Sequence, residues 1–198
     1  MPVLHYIHDP LCGWCYAASP LVEAAAALPG MTVALHGGGL WDPPTGLPPA
    51  KRSMIASADQ RIATLTGQAF GAAYLEGLLQ DPATVFDSRP VTAALLAVGD
   101  LGLPMLRLIQ TAHYVEGLRV VDPEVLAGLA GRLGVVDFAG RFSAVDVDGH
   151  ILATRRLMQR IGAGGFPTFL LESEMGVRPV SHSDCYGDVP RFVERLSN

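Results

Sequence analysis

Charge is scarce in this 198-residue chain: 17% of the residues are charged, 49% are hydrophobic, and the net charge is −5. So apolar a composition excludes a disordered protein. The chain has no extended Lys/Arg run, the footprint expected of a nucleic-acid binder, and no basic amphipathic face suited to a membrane surface. No apolar stretch is long enough to cross a bilayer. The opening MPVLHYIHD lacks a basic run, an apolar core and a small-residue cleavage site, so a cytoplasmic protein is expected. Three cysteines are too few for a disulfide scaffold. There is no internal repeat, and the Gly-rich GQAFGAAYLEG follows no strand, which makes it a poor phosphate loop.

What the chain does have is a close cysteine pair. Cys12 and Cys15 stand in HDPLCGWCYAASP, residues 8–20, around Gly13 and Trp14. Three readings are open: a dithiol that cycles with its disulfide, half of a metal site, or two small buried hydrophobes. On paper, CGWC and HSDC supply Cys12, Cys15, His182 and Cys185, a Cys3His zinc set. Alone, Cys185 reads as a spectator thiol.

The order of elements bears on the choice. VLHYIH, residues 3–8, reads as a strand, the Ala-rich stretch from Trp14 as a helix with Pro20 at a kink or early turn, and residues 31–40 as a second strand. After the Pro/Gly loop WDPPTGLPP the pattern becomes helical, at about 50–66, 70–80, 88–101, 104–117 and 123–134. A helix over 148–161, strands over 166–172 and 176–182, and a terminal helix with Asp188 as N-cap complete the chain. The expected architecture is therefore α/β, with a thioredoxin-like part at 1–45 and 148–198 and an all-helical insertion at 46–147.

Four segments, DPLCGWCYAASP, DSRPVTAALLAV, QTAHYVEGLRV and ATRRLMQRIGAGGFPTFLL, resemble the DsbA-like thiol–disulfide oxidoreductases, in particular the cytoplasmic branch labelled predicted protein-disulfide isomerases. The resemblance spans nearly the whole chain. It implies a thioredoxin fold, Cys12 and Cys15 as the catalytic dithiol, and a cis Phe166-Pro167 bond facing them, with the backbone before the proline pairing with substrate. It also implies protein or small-molecule disulfides as partners and no metal or resident cofactor, with glutathione as a candidate redox partner. Kappa-class glutathione transferases and 2-hydroxychromene-2-carboxylate isomerases share this plan, but they carry Ser in place of the first Cys and lack the second. A non-enzymatic binding module on the same groove is a further alternative.

The chemistry assigns separate roles to the two sulfurs. Only a thiolate attacks a disulfide. Backbone N–H groups at a helix start favour negative charge, so Cys12 is expected to be the exposed nucleophile. Cys15, one turn later, is expected to be the shielded resolving thiol. Trp14, between them, is an expected substrate contact together with Phe166 and Pro167. The sequence departs from better-known relatives in two ways: Gly-Trp offers no cation beside Cys12, and Tyr6 occupies the position where many thioredoxin-like proteins bury an acid. His8 and Asp9, nearest to Cys12 in sequence, are candidates for tuning it.

Overall fold

The computed structural model describes residues 1–197. Its four-stranded sheet draws on both ends of the chain. β1 (Val3–His8) runs parallel to β2 (Thr32–Gly37) and antiparallel to β5 (Thr168–Ser173), which pairs antiparallel with β6 (Gly176–Pro179), giving the order β2-β1-β5-β6. β1 is central, and Leu4, Tyr6, Ile7 and His8 are buried. The ladder of β5 begins one residue after Pro167, which has no N–H to donate, and β6 stops at Pro179.

The Ala-rich stretch forms two helices, α1 (Gly13–Ala17) and α2 (Ser19–Ala26), meeting at Ala18. Pro20 sits in the first turn of α2, where a missing N–H breaks no helical bond. α9 (Val189–Ser197) packs against α2, and Asp188 accepts a hydrogen bond from the Arg191 N–H at 3.2 Å, the expected cap. Asn198, the last residue of the expected helix, lies outside the described residues. Phe192 of α9 meets Phe169 of β5, which stacks on Tyr6 of β1 at 4.9 Å, joining helix layer to sheet.

Between β2 and α8 (Val147–Ile161) lie α3 (Pro49–Thr66), a π-helical turn (Ala73–Leu78), α4 (Ser88–Ala97), a 3-10 turn (Gly99–Leu101), α5 (Gly102–Tyr114), α6 (Pro123–Arg132) and α7 (Phe138–Ala144). The expectation of an all-helical insertion needs one correction. β3 (Thr45–Gly46) and β4 (Val85–Phe86) form a ribbon of two residues a side, too short to show alternation. The sequence reading also omits α7, whose apolar period is interrupted by Gly140, and its 88–101 helix ends at Ala97.

An aromatic cluster docks α1 onto this helical stretch. Tyr16 of α1 stacks on Tyr114 of α5 at 4.8 Å and meets Phe70 edge-on, while its hydroxyl donates to the Ala69 carbonyl at 3.0 Å. Tyr74, His113 and Phe86 extend the cluster. Among the described residues His113 has no hydrogen-bond partner at either ring nitrogen, and burial lowers its pKa from the ordinary 6.5 to about 3.

Below pH 6.5 the unfolded chain therefore binds a proton at this histidine that the folded protein does not. The stability contributed by the neutral ring is complete above about pH 6.5 and is lost as pH falls toward 3, at roughly 1.4 kcal/mol per pH unit. His113→Phe removes that penalty. Urea denaturation at pH 6, 5 and 4 should show its stability relative to the wild type rising with that slope; a constant difference would contradict a buried neutral ring.

Candidate active site

β1 ends at His8, and Asp9-Pro10 turns the chain toward Cys12. Cys12 is the N-cap of α1, in extended conformation (φ −98°, ψ 115°), and its carbonyl accepts the N–H groups of Cys15 and Tyr16 at 2.9 and 3.0 Å. Its sulfur thus sits at the helix end whose N–H groups lack helical partners. Both Cys12 and Cys15 are free thiols. One expectation is corrected: Cys12 is only 8% exposed, against 0% for Cys15, because the opposite wall of the site closes over it.

Phe166 belongs to that wall. The Phe166-Pro167 bond is cis, and the Phe166 carbonyl oxygen lies 3.9 Å from the Cys12 sulfur. The ring of Phe166 packs over Gly38, where an added Cβ would come within 2.2 Å of its Cε1 and Cζ. Residue 38 must therefore be glycine for the ring to lie there. Trp14 is half-buried: its ring tilts against Tyr186 at 5.2 Å, and the Arg61 guanidinium lies 5.8 Å above it.

Loop 38–42 is fastened from two sides. Arg155 of α8 donates to the carbonyls of Gly38, Gly39 and Asp42. Asp9 accepts the N–H of Leu11 at 2.9 Å and that of Leu40 at 2.7 Å, tying the approach to Cys12 to the same loop. Burial raises the Asp9 carboxyl above its ordinary range, and hydrogen bonds from Ser88, Leu11 and Leu40 work against that rise. Trp41 Nε1–H donates to the Leu11 carbonyl at 3.2 Å, closing the frame. A groove of about 380 Å³ opens beside Cys12, walled mainly by Leu11, Trp41, Met54, Ile55, Ile62 and Phe86, with Lys51 and Asp59 as its charged members.

The side chains around Cys15 hold it in place and keep it protonated. Burial and its hydrogen bond with Cys12 push the Cys15 thiol well above the usual thiol range. The Asp9 N–H points at its sulfur from 3.5 Å. Tyr6, standing where an acid was missed, donates its hydroxyl to the Cys15 carbonyl at 3.0 Å and fixes the helix turn. His8 stacks on Tyr6 at 4.7 Å, and burial, with smaller contributions from His36 and His150, lowers its pKa to about 3. It is therefore a neutral ring at the end of β1, packed on Tyr6.

The paper zinc set is not assembled. His182 packs edge-on to Phe169 and Tyr186, and Cys185 is buried at a turn. Among the described residues no three His, Cys, Asp or Glu side chains are placed to share a metal ion. Sequence reasoning missed Trp41, Asp59 and Tyr74, which the helical stretch and the loop before it bring to the groove. One signal was readable: Asp59 shares the inward face of α3 with Arg52 and Ile62, an acid where an apolar residue belongs.

Residues 4–182 match the DsbA-like thioredoxin domain. The chain belongs to the DsbA-like thioredoxin family. Among solved structures it is similar to a cytosolic disulfide reductase, DsbM from Pseudomonas aeruginosa, with 44% identity over 98% of this chain and 97% of that one, at a TM-score of 0.91. A structure of that protein with GSH superposes at a TM-score of 0.90, with the same identity and coverage. A Nitrosomonas europaea protein named as a candidate protein disulfide isomerase shares 27% identity over 99% of this chain and 96% of its own, at a TM-score of 0.85. A comparison with curated proteins gives no match. With the intact Cys-x-x-Cys pair on this fold, the DsbA-like chain is a thiol–disulfide oxidoreductase.

The packing of Phe166 on Gly38 gives a direct check. Gly38→Ala should cost about 1–3 kcal/mol in urea denaturation through overpacking and should slow disulfide exchange, since the Phe166 ring must leave its place on the wall facing Cys12. Unchanged stability and exchange rate would show that the contact does not hold the site.

Proposed function

We propose that this oxidoreductase works as a cytoplasmic, glutathione-coupled disulfide reductase, with Cys12 as the attacking thiol and Cys15 as the resolving thiol. The observation that carries the assignment is the asymmetry of the pair: Cys12 caps the helix and reaches the groove, whereas Cys15 is sealed and held protonated by burial. The likeness to the P. aeruginosa reductase, and the structure of that protein with GSH, support the direction and the partner.

In this mechanism the Cys12 thiolate attacks one sulfur of a substrate disulfide. The substrate S–S bond breaks, its other sulfur leaves as a thiolate and takes up a proton, and a mixed disulfide forms at Cys12. Cys15 then loses its proton and attacks the Cys12 sulfur, releasing the second substrate thiol and closing the Cys12–Cys15 disulfide. Two electrons have passed to the substrate. Two molecules of glutathione return them, yielding glutathione disulfide and the reduced pair.

Substrate chain would lie in the groove with its backbone along Phe166 and Pro167 and its flanking side chains against Trp14. The Phe166 carbonyl, 3.9 Å from the attacking sulfur, is the acceptor positioned to receive a backbone N–H there. No helix among the described residues is long and apolar enough to cross a membrane, and the relative's cytosolic setting supports the compartment.

Intact-mass analysis after mixing each variant with glutathione disulfide tests the roles. Cys12→Ser should form no adduct through the pair and should lose reductase turnover altogether. Cys15→Ser should hold one glutathionyl group on Cys12 and stall. Adduct trapped through Cys15 in the Cys12→Ser protein would reverse the assignment.

A further inference from the structure

The helical stretch contributes an acid to the groove for which the reaction scheme has no use. Asp59 lies on the inward face of α3 and is 2% exposed. Its Oδ2 accepts the Tyr74 hydroxyl at 2.8 Å. Its Oδ1 lies 2.7 Å from the point that a Cβ on Gly13 would occupy, so the carboxyl rests against the first residue of α1, next to Cys12. Any side chain at position 13 would displace it. Asp59 and Cys12 line the same groove.

We propose that Asp59 is a positioning residue that gates Cys12: when it is ionised, its charge beside the start of α1 disfavours the Cys12 thiolate, and when it is protonated, that opposition is lifted. The inference rests on Cys12 being the attacking thiol.

The surroundings make the charge count. The groove walls are mostly apolar, so a carboxylate there is poorly screened. Two hydroxyl-bearing rings face it, Tyr74 from the π-helical turn and Tyr114 from α5. From the start of α1 comes Cys12. Lys51 stands on the groove's rim, Arg61 lies over Trp14, and Arg52, on the same face of α3 as Asp59, donates to the carbonyls of Leu47 and Gln80; no ion pair is formed between any of the three and Asp59 among the described residues. Burial raises the Asp59 carboxyl to about 7, with the Tyr74 hydrogen bond working against the rise, so its ionisation falls where a thiol enzyme operates.

The experiment is the rate of iodoacetamide alkylation at Cys12 against pH from 5 to 10 in the full-length protein, with Cys12→Ser as the blank, for wild type, Asp59→Asn and Tyr74→Phe. In the wild type the profile should carry an inflection near pH 7 ahead of the main rise. Asp59→Asn should abolish that inflection and speed alkylation at pH 8 by roughly three- to tenfold, the size expected for removing a like charge nearby. Tyr74→Phe, which keeps the acid but removes its donor, should move the inflection to higher pH. This second variant decides the matter if Asp59→Asn does not fold. Superimposable profiles in all three proteins would overturn the inference while leaving the thiol chemistry intact. Alkylation that persists in Cys12→Ser, or a wild type that exchanges with no disulfide, would instead overturn the proposed function.

Discussion

Everything at the dithiol depends on the antiparallel register of β1 on β5. Ile7 pairs with Thr168, so the end of β1 and the start of β5 lie side by side. The chain leaving β1 must turn into α1 and the chain entering β5 must arrive through Pro167, which brings Cys12 and the Phe166 carbonyl to the same spot from positions 154 residues apart. A slip of one residue would turn every side chain of β1 to the opposite face. Tyr6 would then lose both Phe169 and the Cys15 carbonyl. The sheet therefore does more than support the site, because its pairing sets the distance between the Cys12 sulfur and the Phe166 backbone.

Around that constraint the protein builds a frame that is polar where it fastens and apolar where it receives. Asp9 and Arg155 hold loops by hydrogen bonds to backbone groups, and Trp41 links the loops to each other. Each of these bonds contributes modestly, about 1 kcal/mol for a neutral pair and more where a charge is involved. Together they hold loop 38–42 against the turn that leads to Cys12. The groove they leave is lined with aromatic and aliphatic side chains, so a disulfide entering it exchanges water for apolar contact before any bond is broken.

Much of this was legible in the sequence. The strand VLHYIH and the proline-bounded helix starts were enough to place the sheet and the dithiol at a strand–helix junction, because alternation, capping residues and proline act locally; the loop facing the dithiol followed only from the resemblance to the DsbA-like family. What escaped depends on tertiary placement. Asp59 lies far from Cys12 in sequence and reaches it only because α3 packs on α1. Trp41 sits in a loop with no periodicity to read. The near-complete burial of Cys12 follows from the far wall of the groove, which no local pattern announces. The tyrosine at position 6 was visible in the sequence. Its structural consequence, a tyrosine bracing the active helix, needed the fold.

The central claim is that this dithiol gives electrons to disulfides and regains them from glutathione. No cation flanks Cys12 within the Gly-Trp dipeptide, and the acid in the groove is Asp59, so no feature of the site strongly favours the reduced form. The most direct test is the reduction potential of the Cys12–Cys15 couple, measured at pH 7 by equilibration in glutathione buffers with the redox state read by thiol labelling. The account predicts a value near the glutathione couple, about −200 to −270 mV, in the range of glutaredoxins and thioredoxin. A value near about −120 mV, where strongly oxidising dithiols lie, would contradict it and make the protein a donor of disulfides.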